Sequence, residues 1–184
     1  MSNNSATDPT IVNPSGGGGS TNVITLAGWD THALPGGVNN FGPSPLAPTT
    51  TGANLSVAGF TRGPGVGTTG TGAQRAWGGN TWTDSSSAAA ITANHYVTFA
   101  VTANSGYTVS FSSVSRFAYR HSATGPASGL LQYRIGAGSF NDVAVLSYPS
   151  TSSSGDALSP IDLSGFVALQ SVGPGTSVTF RIVN

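Results

Sequence analysis

The 184-residue chain carries six basic and six acidic side chains, and every one of them is Arg or Asp. Lys and Glu are absent. Those two residues are strong helix formers and the usual solubilisers of an isolated protein surface. Without them a largely helical fold is excluded in practice, and the surface has to be built from Ser, Thr, Asn and Gly. The chain therefore reads as all-β. Such a weakly charged surface suits a crowded setting outside the cell, against copies of the same chain, glycans or a matrix.

The length allows one domain with an appended arm. An apolar content of 38% is enough for a sandwich core. The net charge is zero and the arginines are dispersed, so the electrostatic footprint of a nucleic-acid binder is missing. There is no Cys, which excludes disulfides, thiolate metal sites and Cys nucleophiles. No stretch approaches the roughly 18 apolar residues of a membrane-spanning helix. The opening Met1-Ser2-Asn3-Asn4-Ser5 has neither a basic nor an apolar region, so it does not read as a signal peptide.

Residues 1–20 read as an arm. Pro9 and Pro14 bracket the β-prone Thr10, Ile11, Val12 and Asn13, and a Ser-Gly-Gly-Gly-Gly-Ser run at 15–20 reads as a flexible linker. From residue 21 to 184, strand signals alternate with turn clusters. The apolar/polar period of two is clearest in His95 to Val101, where Val97, Phe99 and Val101 share a face opposite Tyr96. It recurs in Tyr107 to Phe111, with Tyr107, Val109 and Phe111 inward, and Asn104-Ser105-Gly106 between the two reads as a hairpin turn. Leu130 to Ile135 and Asp142 to Leu146 form a second pair around Gly136-Ala137-Gly138. In the last strand Val178, Phe180 and Ile182 share one face. Only Ser85 to Ala93 suggests a helical turn, with Asp84 or Ser85 as its cap. Eight or nine short strands separated by uneven loops predict a β-sandwich, jelly-roll-like, with an extended N-terminal arm.

A series of short pieces runs in order from about residue 55 to 182: Phe60-Thr61-Arg62-Gly63, Trp77-Gly78, Tyr96 to Phe99, Gly106 to Ser112, Arg120-His121-Ser122, Gln132-Tyr133-Arg134 before Phe140, Ile161 to Ser164, and Val178 to Arg181. In this order and spacing the chain resembles a largely uncharacterised group of secreted bacterial β-sandwich surface domains. The resemblance implies extracellular or cell-surface placement and a jelly-roll-like fold. It also implies one further strand after the Thr-Phe-Arg strand, beyond Asn184. A sandwich short of that strand has an open edge, expected along Val178, Phe180 and Ile182. The arm around Thr10, Ile11, Val12 and Asn13 is the candidate to fill it, within its own chain or in the next one.

Signals for catalysis are weak. Asp8, Asp30, Asp84, Asp142, Asp156 and Asp162 show no paired acid–base spacing of the kind glycoside hydrolysis uses. His32, His95 and His121 are too scattered for a zinc signature, and His95 reads as structural. The expectation is a protein that is not an enzyme and holds no cofactor, with loop calcium at Asp84 or Asp142 as the weak exception. Arg62, Arg116, Arg120, Arg134 and Arg181 lie in or beside strands and are expected to pin loops and edges through carboxylates and carbonyls. Trp29 reads as core. Trp82, with Asn80 and Asp84 nearby, is the candidate for stacking on a sugar ring, and Tyr119-Arg120-His121 is a second polar cluster that suits sugar. The Thr49-Thr50-Thr51 and Thr68-Thr69 loops are candidates for O-glycans.

Two functions fit this pattern. One is a structural subunit that assembles with copies of itself into a fibre or surface layer by donating its N-terminal strand. The other is a carbohydrate-binding or adhesion module of a bacterial surface protein.

Overall fold

A computed structural model describes residues 24–149 and 154–184 in full and residues 6–14 as backbone. The Gly-rich linker expected at 15–20 lies outside the described residues. The strands, in chain order, are β1 (Ala6–Pro14), β2 (Ile24–Gly28), β3 (Gly37–Val38), β4 (Thr50–Thr51), β5 (Leu55–Arg62), β6 (Thr71–Gly72), β7 (Tyr96–Ala103) and β8 (Tyr107–Phe111). They continue with β9 (Ser113–Val114), β10 (Arg116–Tyr119), β11 (Ser128–Ile135), β12 (Asn141–Ser147), β13 (Asp156–Leu158), β14 (Ile161–Asp162) and β15 (Ser177–Val183).

The architecture is all-β, as the composition predicts. One antiparallel sheet has the order β12-β11-β15-β7-β5. The other has the order β13-β10-β1-β2-β4, with β8 also paired to β1. Two small ribbons, β3-β6 and β9-β14, close the loops. Each main strand buries alternate residues: Val97, Val101 and Ala103 from β7, Val109 and Phe111 from β8, and Val178, Phe180 and Ile182 from β15 all face one core.

A run of rings crosses that core. Trp29, just after β2, stacks on Phe60 of β5 with centroids 4.0 Å apart. Phe60 meets Phe99 of β7 edge-on at 5.3 Å, and Phe99 stacks on Phe180 of β15 at 5.1 Å. Phe180 then meets Phe111 of β8 edge-on at 5.3 Å. The run starts and ends on the side of the sheet that holds β2 and β8 and passes through three strands of the other, β5, β7 and β15, so it ties the two layers together. Aromatic pairs at these separations add to plain burial.

The structure corrects two readings of strand pairing. Asn104-Ser105-Gly106 is a tight turn, with Tyr107 N–H donating to the Asn104 carbonyl and Gly106 at φ +84°. It does not make a hairpin, because β7 pairs with β15 and β5 while β8 pairs with β1. The chain crosses here from one sheet to the other, and the apolar faces of β7 and β8 meet across the core instead of side by side. The second correction concerns the expected open edge. β15 is the middle strand of its sheet, paired along its length with β11 on one side and β7 on the other. Val178, Phe180 and Ile182 are an inward face and not an acceptor edge. Alternation in a sequence reports which face is buried and is silent about lateral neighbours. The pair around Gly136-Ala137-Gly138 is the hairpin β11–β12 that the sequence predicts.

In the other sheet β1 is an interior strand. β1 runs antiparallel to β2 from Thr7–Gly28 to Thr10–Ile24. Along its other edge it pairs first with β10, at Ala6–Phe117, and then with β8, from Thr10–Phe111 to Pro14–Tyr107. The register shifts at Asp8/Pro9, where a proline, having no N–H, requires a break in the ladder.

The short helix is α1 (Ser87–Ala93). Its cap is Ser86, one residue beyond the expected Asp84 or Ser85, with the Ser86 hydroxyl accepting from Ala89 N–H at 3.2 Å. It ends at Asn94 in the left-handed region. The Gly63-Pro64-Gly65 turn lies against this end so closely that a Cβ on Gly65 would collide with the Ala93 carbonyl.

Candidate functional site

Between the loop at residues 76–83 and the segment after β10 lies a cleft of about 650 Å³. Trp77, Gly78, Gly79 and Trp82 form one wall, and Tyr119, Arg120, His121 and Gly125 form the other. Two sequence segments that were separate candidates therefore face each other across one space.

Arg62, at the end of β5, fixes the first wall. Its Nε donates to the Gly78 carbonyl, and its Nη2 to the carbonyls of Phe41 and Gly42, the latter at 2.9 Å. The guanidinium also lies 4.5 Å from the centroid of the Trp77 ring. Burial lowers its pKa from the ordinary value, yet a guanidinium remains charged at any physiological pH. The expected pinning role for this arginine is what the geometry gives, through carbonyls instead of carboxylates. Arg62→Ala takes a donor from the carbonyls of Phe41, Gly42 and Gly78, the first of which still accepts from Gly78 N–H, and should cost about 3 kcal/mol, lowering Tm by roughly 6–12 °C. Arg62→Lys should recover less than half of that, because one ammonium cannot span the same fork. Thermal melts of the two variants measure this directly.

Trp82 is partly buried and packs on the core's margin, with its indole N–H donating to the Gly79 carbonyl at 2.9 Å. That bond fixes the ring on the cleft wall. Asn80 also borders the cleft, but its amide is spent inside the loop: Nδ2 donates to the Thr69 carbonyl, and Oδ1 is buried without a partner. Asp84 does not border it. Its carboxylate meets His95 Nδ1 at 2.5 Å, which is the only ion-pair geometry among the described residues. So of Trp82, Asn80 and Asp84, the structure leaves only Trp82 with a side chain suited to meet a ligand. Proximity along the chain gave the trio, whereas the fold turns each side chain a different way.

On the opposite wall Tyr119 is buried, and Arg120 is exposed. The ring of His121 has Nε2 2.8 Å from the Tyr148 carbonyl and Nδ1 2.8 Å from the Ser122 carbonyl, which anchors this segment to the end of β12. Tyr148 is buried, its hydroxyl donating to Asn184 Oδ1 at 2.9 Å. Burial first, and repulsion from Tyr119 second, push its phenol well above the usual tyrosine value. Its sign follows from linkage. Above about pH 10 an unfolded Tyr148 loses its proton while the folded one keeps it, so stability falls as pH rises. The fall should be up to about 1.4 kcal/mol per pH unit for this one group. Melts between pH 9 and 11 should show a shallower decline for Tyr148→Phe than for the unaltered chain.

Arg181 and Asp142 serve the scaffold. Arg181 Nε donates to buried Gln132 Oε1 at 2.8 Å, and Gln132 Nε2 donates to Asp142 Oδ1 at 2.7 Å. This relay replaces the direct Arg–Asp pairs that the equal charge counts suggest. Arg181 also lies 3.8 Å from the Phe140 ring centroid. Asp84 and Asp142, the calcium candidates, are thus engaged by His95 and Gln132, and among the described residues no three metal-ligating side chains converge. The Thr49 hydroxyl donates to the Gly28 carbonyl, whereas Thr50, Thr51, Thr68 and Thr69 are exposed. Among the described residues no helix is long and apolar enough to cross a membrane.

No protein-family model matches the chain, and neither does any curated protein or solved structure. The resemblance to secreted bacterial surface domains rests on the sequence pieces alone.

Proposed function

We propose that this protein is a non-enzymatic extracellular structural subunit that assembles into fibres by exchanging its N-terminal strand, each jelly-roll-like body accepting the arm of a neighbour. The observation that carries this reading is the position of β1. It is an interior strand, and among the described residues no other strand joins β2 to β8 and β10. A sheet with its middle strand supplied by a terminal arm has a slot that an identical arm from the next copy fits in the same register. The nine residues between Pro14 and Ile24 reach up to roughly 30 Å when extended, which is enough to leave the body. Head-to-tail exchange of this kind is heterologous and propagates as an open filament. The weakly charged surface and the absence of Lys from the sheet edges fit a chain whose edges are covered by assembly.

The chain has no Cys, so an engineered pair reports cleanly. Ile11 and Ser110 are register partners in the β1–β8 ladder, and cross-strand partners stand within disulfide reach. Chains carrying Ile11→Cys alone and chains carrying Ser110→Cys alone are mixed under assembly conditions and oxidised. The expected result is a disulfide-linked dimer containing one of each. If mixed dimers fail to form, while the double variant closes within a single chain, the exchange is wrong and the arm only completes its own body.

A further inference from the structure

We infer that the cleft between Trp82 and Arg120 binds an acidic oligosaccharide, with Trp82 stacking on a pyranose ring and Arg120 receiving a uronate carboxylate. The inference does not depend on strand exchange. Its size, about 650 Å³, lies within the range of small-ligand sites. Its lining is mixed in the way sugar requires. The Trp82 indole is held in one orientation by its bond to Gly79, which reduces what binding must order. Beside it Gly78 leaves open space where a side chain would stand, so the approach to the loop is clear. Hydroxyl groups of Thr71, Thr83, Ser122 and Thr124 border the same space. They both donate and accept, as ring hydroxyls do.

Charge decides the class of sugar. Arg120 is the one arginine among the lining residues, and no Asp side chain is among them. Arg120 is exposed and makes no hydrogen bond to another described residue, so its fork is available for a bidentate bond. A cleft whose side chains include one arginine and no Asp favours an anionic chain over a neutral one, and disfavours a cationic one.

The test uses the full chain labelled with nitrogen-15 and titrated with a galacturonic-acid hexamer, a neutral glucose hexamer and a glucosamine hexamer. The expected result is saturable movement of the Trp82 indole signal with the acidic chain, at least tenfold tighter than with the neutral one. Arg120→Ala, on an exposed side chain, should fold normally and weaken acidic binding at least tenfold, and far more than any neutral binding. Trp82→Ala should remove both, and Trp82→Phe, which retains a ring at the core's margin, should keep part. Equal binding of the acidic and neutral chains overturns the assignment to Arg120. No saturable binding by any of the three, or binding indifferent to Trp82→Ala and Arg120→Ala, overturns the site.

Discussion

A chain lacking residues 1–20 should form no filaments, and its body should melt well below the full-length protein. Removing the arm deletes β1 and uncovers the facing edges of β2, β8 and β10 together. Each backbone hydrogen bond of the ladder contributes about 1 kcal/mol net, and an interior strand makes them on both sides. Several kcal/mol are therefore lost, equivalent to a fall in Tm of more than about 10 °C for a domain of this size. The truncated body also presents two raw strand edges, which invite irregular association. A synthetic peptide spanning residues 5–15 should pair into the slot and restore the melt without restoring filaments, because a free peptide carries no body to receive the next arm. Calorimetry with and without peptide, beside electron microscopy of both chains, reads the two halves separately. Filaments persisting without the arm would remove β1 from assembly altogether. A melt unchanged by truncation would remove it from the sheet as well.

How much of this was legible in the sequence differs by element, for physical reasons. The inward faces of β7, β8 and β15 were, because burial selects alternate side chains and leaves a period of two. The β-prone character of Thr10 to Asn13 was legible too, from a patch set off by prolines and glycines. Which sheet it completes was not. Lateral pairing is decided by backbone hydrogen bonds, which every residue except proline offers alike, so Val178, Phe180 and Ile182 carry no mark of lying mid-sheet. The same limit explains Asn104-Ser105-Gly106, a turn that serves equally to bring two strands side by side or to pass between layers. The cleft was half legible. Trp82 and the Tyr119-Arg120-His121 cluster each stood out, but their meeting depends on loops anchored from far along the chain. One anchor is the fork of Arg62 on Phe41, Gly42 and Gly78. Carbonyl partners leave no trace in side-chain identity, so only the prediction that this arginine pins something could be made.

Trp29→Ala should be among the most damaging single substitutions in the body. The side chain is 1% exposed and sits at the head of the ring run. It stacks on Phe60 at 4.0 Å and meets Phe99 edge-on at 5.1 Å. Its indole N–H donates to the Leu46 carbonyl at 3.0 Å, and Leu46 in turn exchanges two backbone hydrogen bonds with Phe60. Truncation thus opens a cavity the size of an indole, strips the partly buried Leu46 carbonyl of one donor, and loosens the loop at residues 43–48 from β5. Large-to-small changes of this kind cost about 3–5 kcal/mol, which corresponds to roughly 6–20 °C in Tm. Trp29→Phe keeps a ring for Phe60 and loses the donor, and should cost about half as much. Phe60 itself lies 5.4 Å from Trp77 on the cleft's inner wall, so the damage travels outward. Trp29→Ala should therefore broaden the Trp82 indole signal as well as lower Tm, whereas a substitution at exposed Val145 on β12, on the far edge of the other sheet, should do neither. A Trp29→Ala protein that melts within about 3 °C of the unaltered chain would mean that the ring run is packing without structural consequence, and that the two layers are held together elsewhere.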